Sequence, residues 1–245
     1  MPILWAQAVL LARHSTNSPW FIAIVFLLAV VLAVYGWHAS AKRRRELAAW
    51  AAGRGLSFEE GKLNDFDRKY PEFGCLQLGG NRYASNLIRG RWGEREILGF
   101  DYHYVIQSGK NRQTHTFSAV IIASHIPLQP LHIRPENIFD KVGEFFGADD
   151  IDFESAEFSR KFFVKAPDKR WAYDVIHPRV MEFLLASPRF SIEFGLVSVI
   201  AYRQGPFKPA DFEAACQVIC GILDQLPEYV IRQQGQLRPR EQGEV

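Results

Sequence analysis

Residues 81–123 read NRYASNLIRGRWGEREILGFDYHYVIQSGKNRQTHTFSAVIIA, and this stretch decides the fold. Polar and apolar residues alternate through much of it with the period of two expected of strands. Arg82–Gly90 and Arg95–Ile106 flank a tight connection at Arg91-Trp92-Gly93-Glu94. Thr114–Ala123 follows a polar stretch, Gln107–Gln113, whose Gly109 and Asn111 suit a hairpin loop. Strands joined by such short turns pair antiparallel, because a parallel pair needs a crossover of a dozen or more residues.

Outward from this meander the pattern stays mixed. Upstream, Leu56-Ser57-Phe58 is extended, and Glu59–Gly74 reads as loop or short helix. Downstream, Leu131-His132-Ile133 is a short strand. A helix is predicted over Pro135–Phe146, with Ile138, Val142, Phe145 and Phe146 inward and Gly147 as its C′ cap. Asp149–Asp152 is a turn, and Phe158–Lys165 (FSRKFFVK) reads as a strand. Asp168 caps a helical turn running from Trp171 to Ile176, and Pro178–Leu185 turns Val180, Met181, Leu184 and Leu185 inward. Arg189–Phe194 alternates Phe190, Ile192 and Phe194 against Ser191 and Glu193, Gly195 turns the chain, and Val197–Tyr202 returns. Pro209 opens and Pro227 closes a last helix, striped by Phe212, Ala215, Cys216, Ile219, Ile222, Leu223 and Leu226. Arg232–Val245 is polar and is expected to be a disordered tail. The fold class is therefore α+β: a mostly antiparallel sheet of about seven strands, with inserted helices and a C-terminal amphipathic helix. Two closures fit this pattern. One is a small barrel plugged by the last helix, as in pleckstrin-homology-like domains; the other is an open sheet with helices on one face.

Ahead of the domain, Trp20–Trp37 (WFIAIVFLLAVVLAVYGW) has 18 residues and no charge. A helix of that length reaches about 27 Å, close to the hydrocarbon thickness of a bilayer. Eleven of the residues are Phe, Ile, Val or Leu. Together they contribute about −3 to −7 kcal/mol to insertion, unopposed by any charge. Ser18 and Pro19 suit an N-cap and first helical position, and Trp20, Tyr35 and Trp37 match interfacial aromatic belts. A cleaved signal peptide is the competing reading, because Ala39-Ser40-Ala41 has cleavage-site spacing. The apolar run is longer than a usual signal core, however, and the mature chain would begin with a block of bases. That block, Lys42, Arg43, Arg44 and Arg45, faces only Arg13 on the other side of the helix. It predicts a cytoplasmic domain behind an inner-membrane anchor, with the N-terminus outside. The expected organisation is residues 1–19 extracytoplasmic, 20–37 transmembrane, 38–55 basic helix or linker, 56–231 domain and 232–245 tail. Met1–Ala12 is apolar but too short to span, and is placed in the outer interface.

The whole chain has 245 residues, 48% of them hydrophobic, with 29 basic and 27 acidic side chains and three cysteines. Three cysteines cannot build a disulfide framework, and unpaired thiols suit a reducing compartment. Without Arg13 and Lys42–Arg45, acidic residues outnumber basic ones, which argues against a nucleic-acid partner; aromatics such as Trp92, Tyr102, Tyr104, Phe162 and Phe163 could stack bases but read as core.

Several blocks resemble a bacterial family of single-pass membrane-anchored proteins of uncharacterised function. They are Trp50-Ala51-Ala52 with Arg54-Gly55-Leu56, Asn86-Leu87-Ile88-Arg89-Gly90, and Phe100-Asp101-Tyr102-His103-Tyr104. Further on come Arg134-Pro135-Glu136, Glu157–Val164 and His177-Pro178-Arg179-Val180-Met181. The resemblance implies one N-terminal helix, a basic flank and a cytosolic α+β domain, and it implies no activity.

Catalytic signatures are scarce. The sequence has no phosphate-binding loop, dinucleotide fingerprint, nucleophile elbow or zinc-protease motif. Cys216 and Cys220 lie on or beside the apolar stripe of the last helix and read as structural, and Cys75 stands alone. Asp150-Ile151-Asp152 echoes an acidic metal motif but fits a turn. The one candidate constellation is Asp101 and His103 on one strand face, joined by His115 if the hairpin centres near Lys110. A carboxylate with two imidazoles can act as a general base or hold a metal. The competing view is the polar face of a sheet whose other face carries Phe100, Tyr102, Val120 and Ile122. No cofactor is expected, and no metal site beyond that candidate. The sequence therefore points to a membrane-tethered, non-enzymatic interaction or regulatory module whose partners are the lipid bilayer and a protein. The alternative is a membrane-bound metal-dependent hydrolase or transferase built on Asp101, His103 and His115.

Overall fold

The structure is a computed structural model, and it describes residues 19–136 and 151–236. The chain divides into two compact units between Glu46 and Leu47. The first contains most of one unbroken helix, α1 (Pro19–Gly53), whose apolar side chains from Trp20 to Trp37 are exposed. This helix is long and apolar enough to cross a membrane, and none of its most apolar stretch is buried. Trp20, Tyr35 and Trp37 are among its most exposed side chains.

The second unit begins inside the same helix. Leu47 and Ala51 are fully buried, Trp50 stacks on Phe212, and the Arg54 guanidinium lies over Trp92 while pairing with Glu213 at 2.6 Å. Residues 47–55, expected within a linker, therefore belong to the domain.

Among the described residues, eight strands form one antiparallel sheet: β1 (Ser57–Asn64), β2 (Gly80–Trp92), β3 (Arg95–Ser108), β4 (Asn111–Ala123), β5 (Leu131–Pro135), β6 (Phe162–Lys165), β7 (Ser191–Phe194) and β8 (Ser198–Gln204). Their order is β1-β2-β3-β4-β8-β7-β5-β6. The sheet is open: among the described residues no pairing joins β1 to β6, so the barrel closure is set aside. The polar residues 107–113 form no long loop. They extend β3 and β4 to a two-residue turn, Gly109-Lys110, between paired Ser108 and Asn111. Gly109 has φ 59°, the left-handed geometry such a turn needs.

Other differences have local causes. β1 runs through residues expected as loop because a charged edge strand need not alternate, and a bulge lies between Glu59 and Lys62. Ala156–Lys161 is a short helix, α2, in place of the start of a strand, because the Ser155 hydroxyl accepts the Phe158 N–H as an N-cap. Then come α3 (Lys169–Val175), capped by Asp168 as expected, α4 (Pro178–Ala186), α5 (Pro209–Leu223) and α6 (Glu228–Gln236). The last of these takes residues 232–236 out of the expected tail, with Gln234 buried. The helix expected over Pro135–Phe146 and its Gly147 cap fall largely outside the described residues, as do Met1–Ala12, Arg13, Ser18 and Asp150; Pro135 itself ends β5.

Both faces of the sheet are covered. On one face, Ile97, Val120, Ile122, Val199, Ile192 and Phe194 meet the stripe of α5. Packing there is close: a Cβ at Gly99 would lie 3.0 Å from the Phe212 ring. On the other, Phe100, Tyr102, Tyr104, Phe117, Ile121 and Tyr202 are roofed by residues 65–79, which contribute Phe66, Phe73, Cys75 and Leu76. These residues form two 3-10 turns, Phe66–Lys69 and Gly74–Leu76.

Candidate functional site

The hairpin register settles the geometry of the candidate constellation. Asp101 pairs with Ser118, His103 with Thr116 and Tyr104 with His115. A two-residue turn pairs odd positions with even ones, so His115 shares its face with Tyr104 and leaves Asp101 and His103 on the other. The three residues do not converge. Asp101 accepts hydrogen bonds from Asn86 Nδ2 (2.7 Å) and Ser118 Oγ (2.5 Å), and Ser118 Oγ accepts the Phe207 N–H (2.8 Å). This relay ties a bulged part of β2, where Asn86 has φ 52°, to the entrance of α5. His103 stacks on Tyr83 and has Nδ1 3.2 Å from the Asn81 carbonyl; His115 stacks on Tyr104, its Nε2 buried without a hydrogen-bond partner among the described residues. Nor is the Asp101 face generally polar: it carries Val120 and Ile122, which the sequence reading placed on the opposite face with Phe100 and Tyr102. Among the described residues, no three His, Cys, Asp or Glu side chains group to hold a metal. Burial pushes the Cys216 thiol up to about 12, with Cys220 and Glu213 adding to it, far from a reactive thiolate.

Of the basic cluster, Lys42 pairs weakly with Glu46 at 3.9 Å on the exposed helix surface, and Arg45 is exposed.

Two features were missed in the sequence. The first is a groove of about 650 Å³ beside the end of the roof, a volume usual for ligand sites. Its floor is Leu98, Ile121 and Ala123; Lys69, Tyr70 and Glu72 come from the roof, and Arg89, Arg91 and Glu96 from β2 and β3. Burial raises the Tyr70 hydroxyl, with Arg89 lowering it and Glu72 raising it. At the rim is the β7–β8 turn, where Leu196 and Val197 are each 61% exposed.

The second is a buried polar pair under the roof. His132 on β5 and Glu193 on β7 lie directly opposite each other, each 1% exposed, with Nε2 and Oε1 4.0 Å apart. Glu193 Oε1 also accepts the Tyr202 hydroxyl (3.0 Å) and the Cys75 N–H (3.3 Å). Burial pushes Glu193 up to about 7, opposed by the Tyr202 hydroxyl and the Gly74 and Cys75 N–H groups. Burial, with Arg134 and Lys165 adding to it, pushes His132 down to about 4. Strict alternation placed Glu193 on a solvent face. The available signal was the central position of a short strand that a roofed sheet buries on both sides.

No protein-family model matches the sequence. No curated protein matches it either. Among solved structures, the mycobacterial trehalose monomycolate transport factor A, TtfA, is similar in fold, with a TM-score of 0.56 over 74% of this chain and 92% of that one. Sequence identity is 10%, so the likeness is one of fold alone.

Proposed function

We propose that this chain is a membrane-tethered, non-enzymatic binding module that takes a protein partner in the groove beside residues 65–79. The observation that carries the reading is the groove itself. It joins an apolar floor to a rim where Val197 is exposed, one of five large apolar side chains exposed among the described residues of the domain. The metal-dependent hydrolase or transferase reading loses its support with His115 on the opposite face from Asp101 and His103. The neighbour of shared fold is described as a transport factor, which fits a chain that works by holding a partner.

In this reading α1 crosses a bacterial inner membrane once, its N-terminus outside. Lys42, Arg43, Arg44 and Arg45 keep the domain in the cytoplasm. Four bases near anionic lipid contribute about 4 kcal/mol, comparable to the insertion of the helix, so they orient the chain more than they attach it.

The test is crosslinking capture from native membranes with the full chain and its Lys69→Glu, Arg89→Glu, Arg91→Glu variant. The reading expects a discrete protein adduct with the parent and its loss in the variant, with both chains in the membrane fraction. The same adduct from both would remove the groove from the account.

A further inference from the structure

The roof that shapes the groove is fastened over Glu193. Its apolar anchors, Phe66, Phe73 and Leu76, are fully buried. Its polar fastenings are the Tyr102 hydroxyl donating to the Leu76 carbonyl (2.8 Å), the Arg82–Asp67 ion pair (2.9 Å) and the Cys75 N–H donating to Glu193. The seam is close-packed at the β7–β8 turn. There a Cβ on Gly195 would stand 2.7 Å from Glu72 Cγ and 3.3 Å from the Phe73 ring. Glu193 therefore sits below the point where the roof presses on β7, and Glu72 from that same point lines the groove.

The groups facing Glu193 come from three sides. β8 supplies the Tyr202 hydroxyl, the roof supplies the Gly74 and Cys75 N–H groups with the Cys75 thiol, and β5 supplies the His132 imidazole. Arg134 on β5 and Lys165 on β6 act on His132 and, with burial, keep it neutral at physiological pH. Glu193 Oε2 has no hydrogen-bond partner among the described residues. An ionised carboxylate in this place is thus short of compensation, and the neutral acid costs less to bury.

Resting on the reading of the groove as a binding surface, we propose that Glu193 is a proton-operated latch for the groove wall. With its proton it keeps residues 66–78 seated on the sheet, and on losing the proton it lets them lift toward water. The direction follows from linkage. Seated, the carboxyl titrates near 7; hydrated, it returns to its ordinary 4.5. Raising the pH through that window therefore favours the conformation in which water reaches Glu193, by up to roughly two orders of magnitude in the seated-to-lifted ratio. Lifting displaces Lys69, Tyr70 and Glu72 together, so the groove is complete only in the protonated state.

Hydrogen exchange of the full chain in lipid nanodiscs at pH 6 and pH 8 reads the latch without any partner. Rates for residues 66–78 are corrected for intrinsic exchange and referenced to residues 117–122 of β4. Protection of residues 66–78 is expected to fall about tenfold or more between the two pH values, and Glu193→Gln should hold it constant. Equal protection at both pH values in the parent, or the same fall in Glu193→Gln, overturns the latch. Should Glu193→Gln fail to fold, Tyr202→Phe removes a donor to the ionised form and should move the transition to higher pH; an unmoved transition overturns the proposal equally. A roof that lifts without any adduct at the groove leaves the latch standing and removes the binding reading. An adduct formed over a roof that never lifts does the reverse.

Discussion

The two faces of the sheet bury comparable hydrophobic rows in different ways. The helix face meets α5 through Phe212, Ala215, Cys216, Ile219 and Ile222, regular side chains on a regular element. The opposite face is roofed by irregular backbone, whose N–H and C=O groups need partners from the sheet. Tyr102 and Glu193 supply two of them. The cost is a buried carboxyl, and the outcome is a groove where the roof ends. One face is built to stay closed. The other has polar fastenings that can be undone, and it is there that binding and its control are placed.

Substitutions that act on one face at a time break this contrast. The largest effect is expected on the helix face: Phe212→Ala empties a fully buried aromatic site that stacks on Trp50 and meets Phe207 edge-on. Denaturant unfolding should show a loss of about 3–5 kcal/mol, independent of pH.

On the roofed face the effect is smaller and pH-dependent. The raised Glu193 contributes stability at low pH that is lost as pH rises from 4.5 through about 7. The lowered His132 acts the other way, contributing stability gained as pH rises from about 4 through 6.5. Between 4.5 and 6.5 the two oppose each other, so the parent's stability should be nearly flat there and then fall toward pH 7. Glu193→Gln removes only the first. Relative to the parent it should gain about 2 kcal/mol on going from pH 5 to pH 8, a shift in that difference that unfolding curves at the two pH values would reveal.

Much of this architecture was legible in advance, for reasons that differ by region. β2, β3 and β4 are long enough for their alternation to outweigh local noise, and α5 announces itself by a stripe between two prolines. Short strands carry too few residues for period to speak. Phe158–Lys165 passes as a strand in the sequence, yet Ser155 caps its first half into helix. Glu193 looks like the outward residue of a half-buried strand because a single chain does not reveal that 65–79 returns to roof it. The Asp101, His103 and His115 grouping failed on one integer: a loop of two residues rather than an odd number sends His115 to the other face. The groove left no sequence signal, since its residues come from five separate segments.

The Asp101 relay gives a sharper test of that correction. Asp101→Ala strands the Ser118 hydroxyl and the Asn86 amide and should destabilise the fold by about 1–3 kcal/mol, whereas His115→Gln, on the far face, should cost less than about 1 kcal/mol. A coupled catalytic group would make the two losses non-additive; residues on opposite faces should add.

Smallest of all should be the stability effect of Lys69→Glu, Arg89→Glu and Arg91→Glu, each within about 0.5 kcal/mol in thermal unfolding. Arg89 and Arg91 make solvent-exposed pairs, with Glu59 at 3.2 Å and Glu94 at 3.4 Å.

The contrast between faces is tested most directly by a photocrosslinking residue placed at one exposed position on each side, in the full chain and in native membranes. Val197 marks the groove rim, and Tyr173, 49% exposed on α3, marks the helix side. The account predicts a discrete protein adduct from position 197 that is lost on reversing the charges of Lys69, Arg89 and Arg91, and no adduct from position 173. Equal adducts from both positions, or none from position 197, would contradict it.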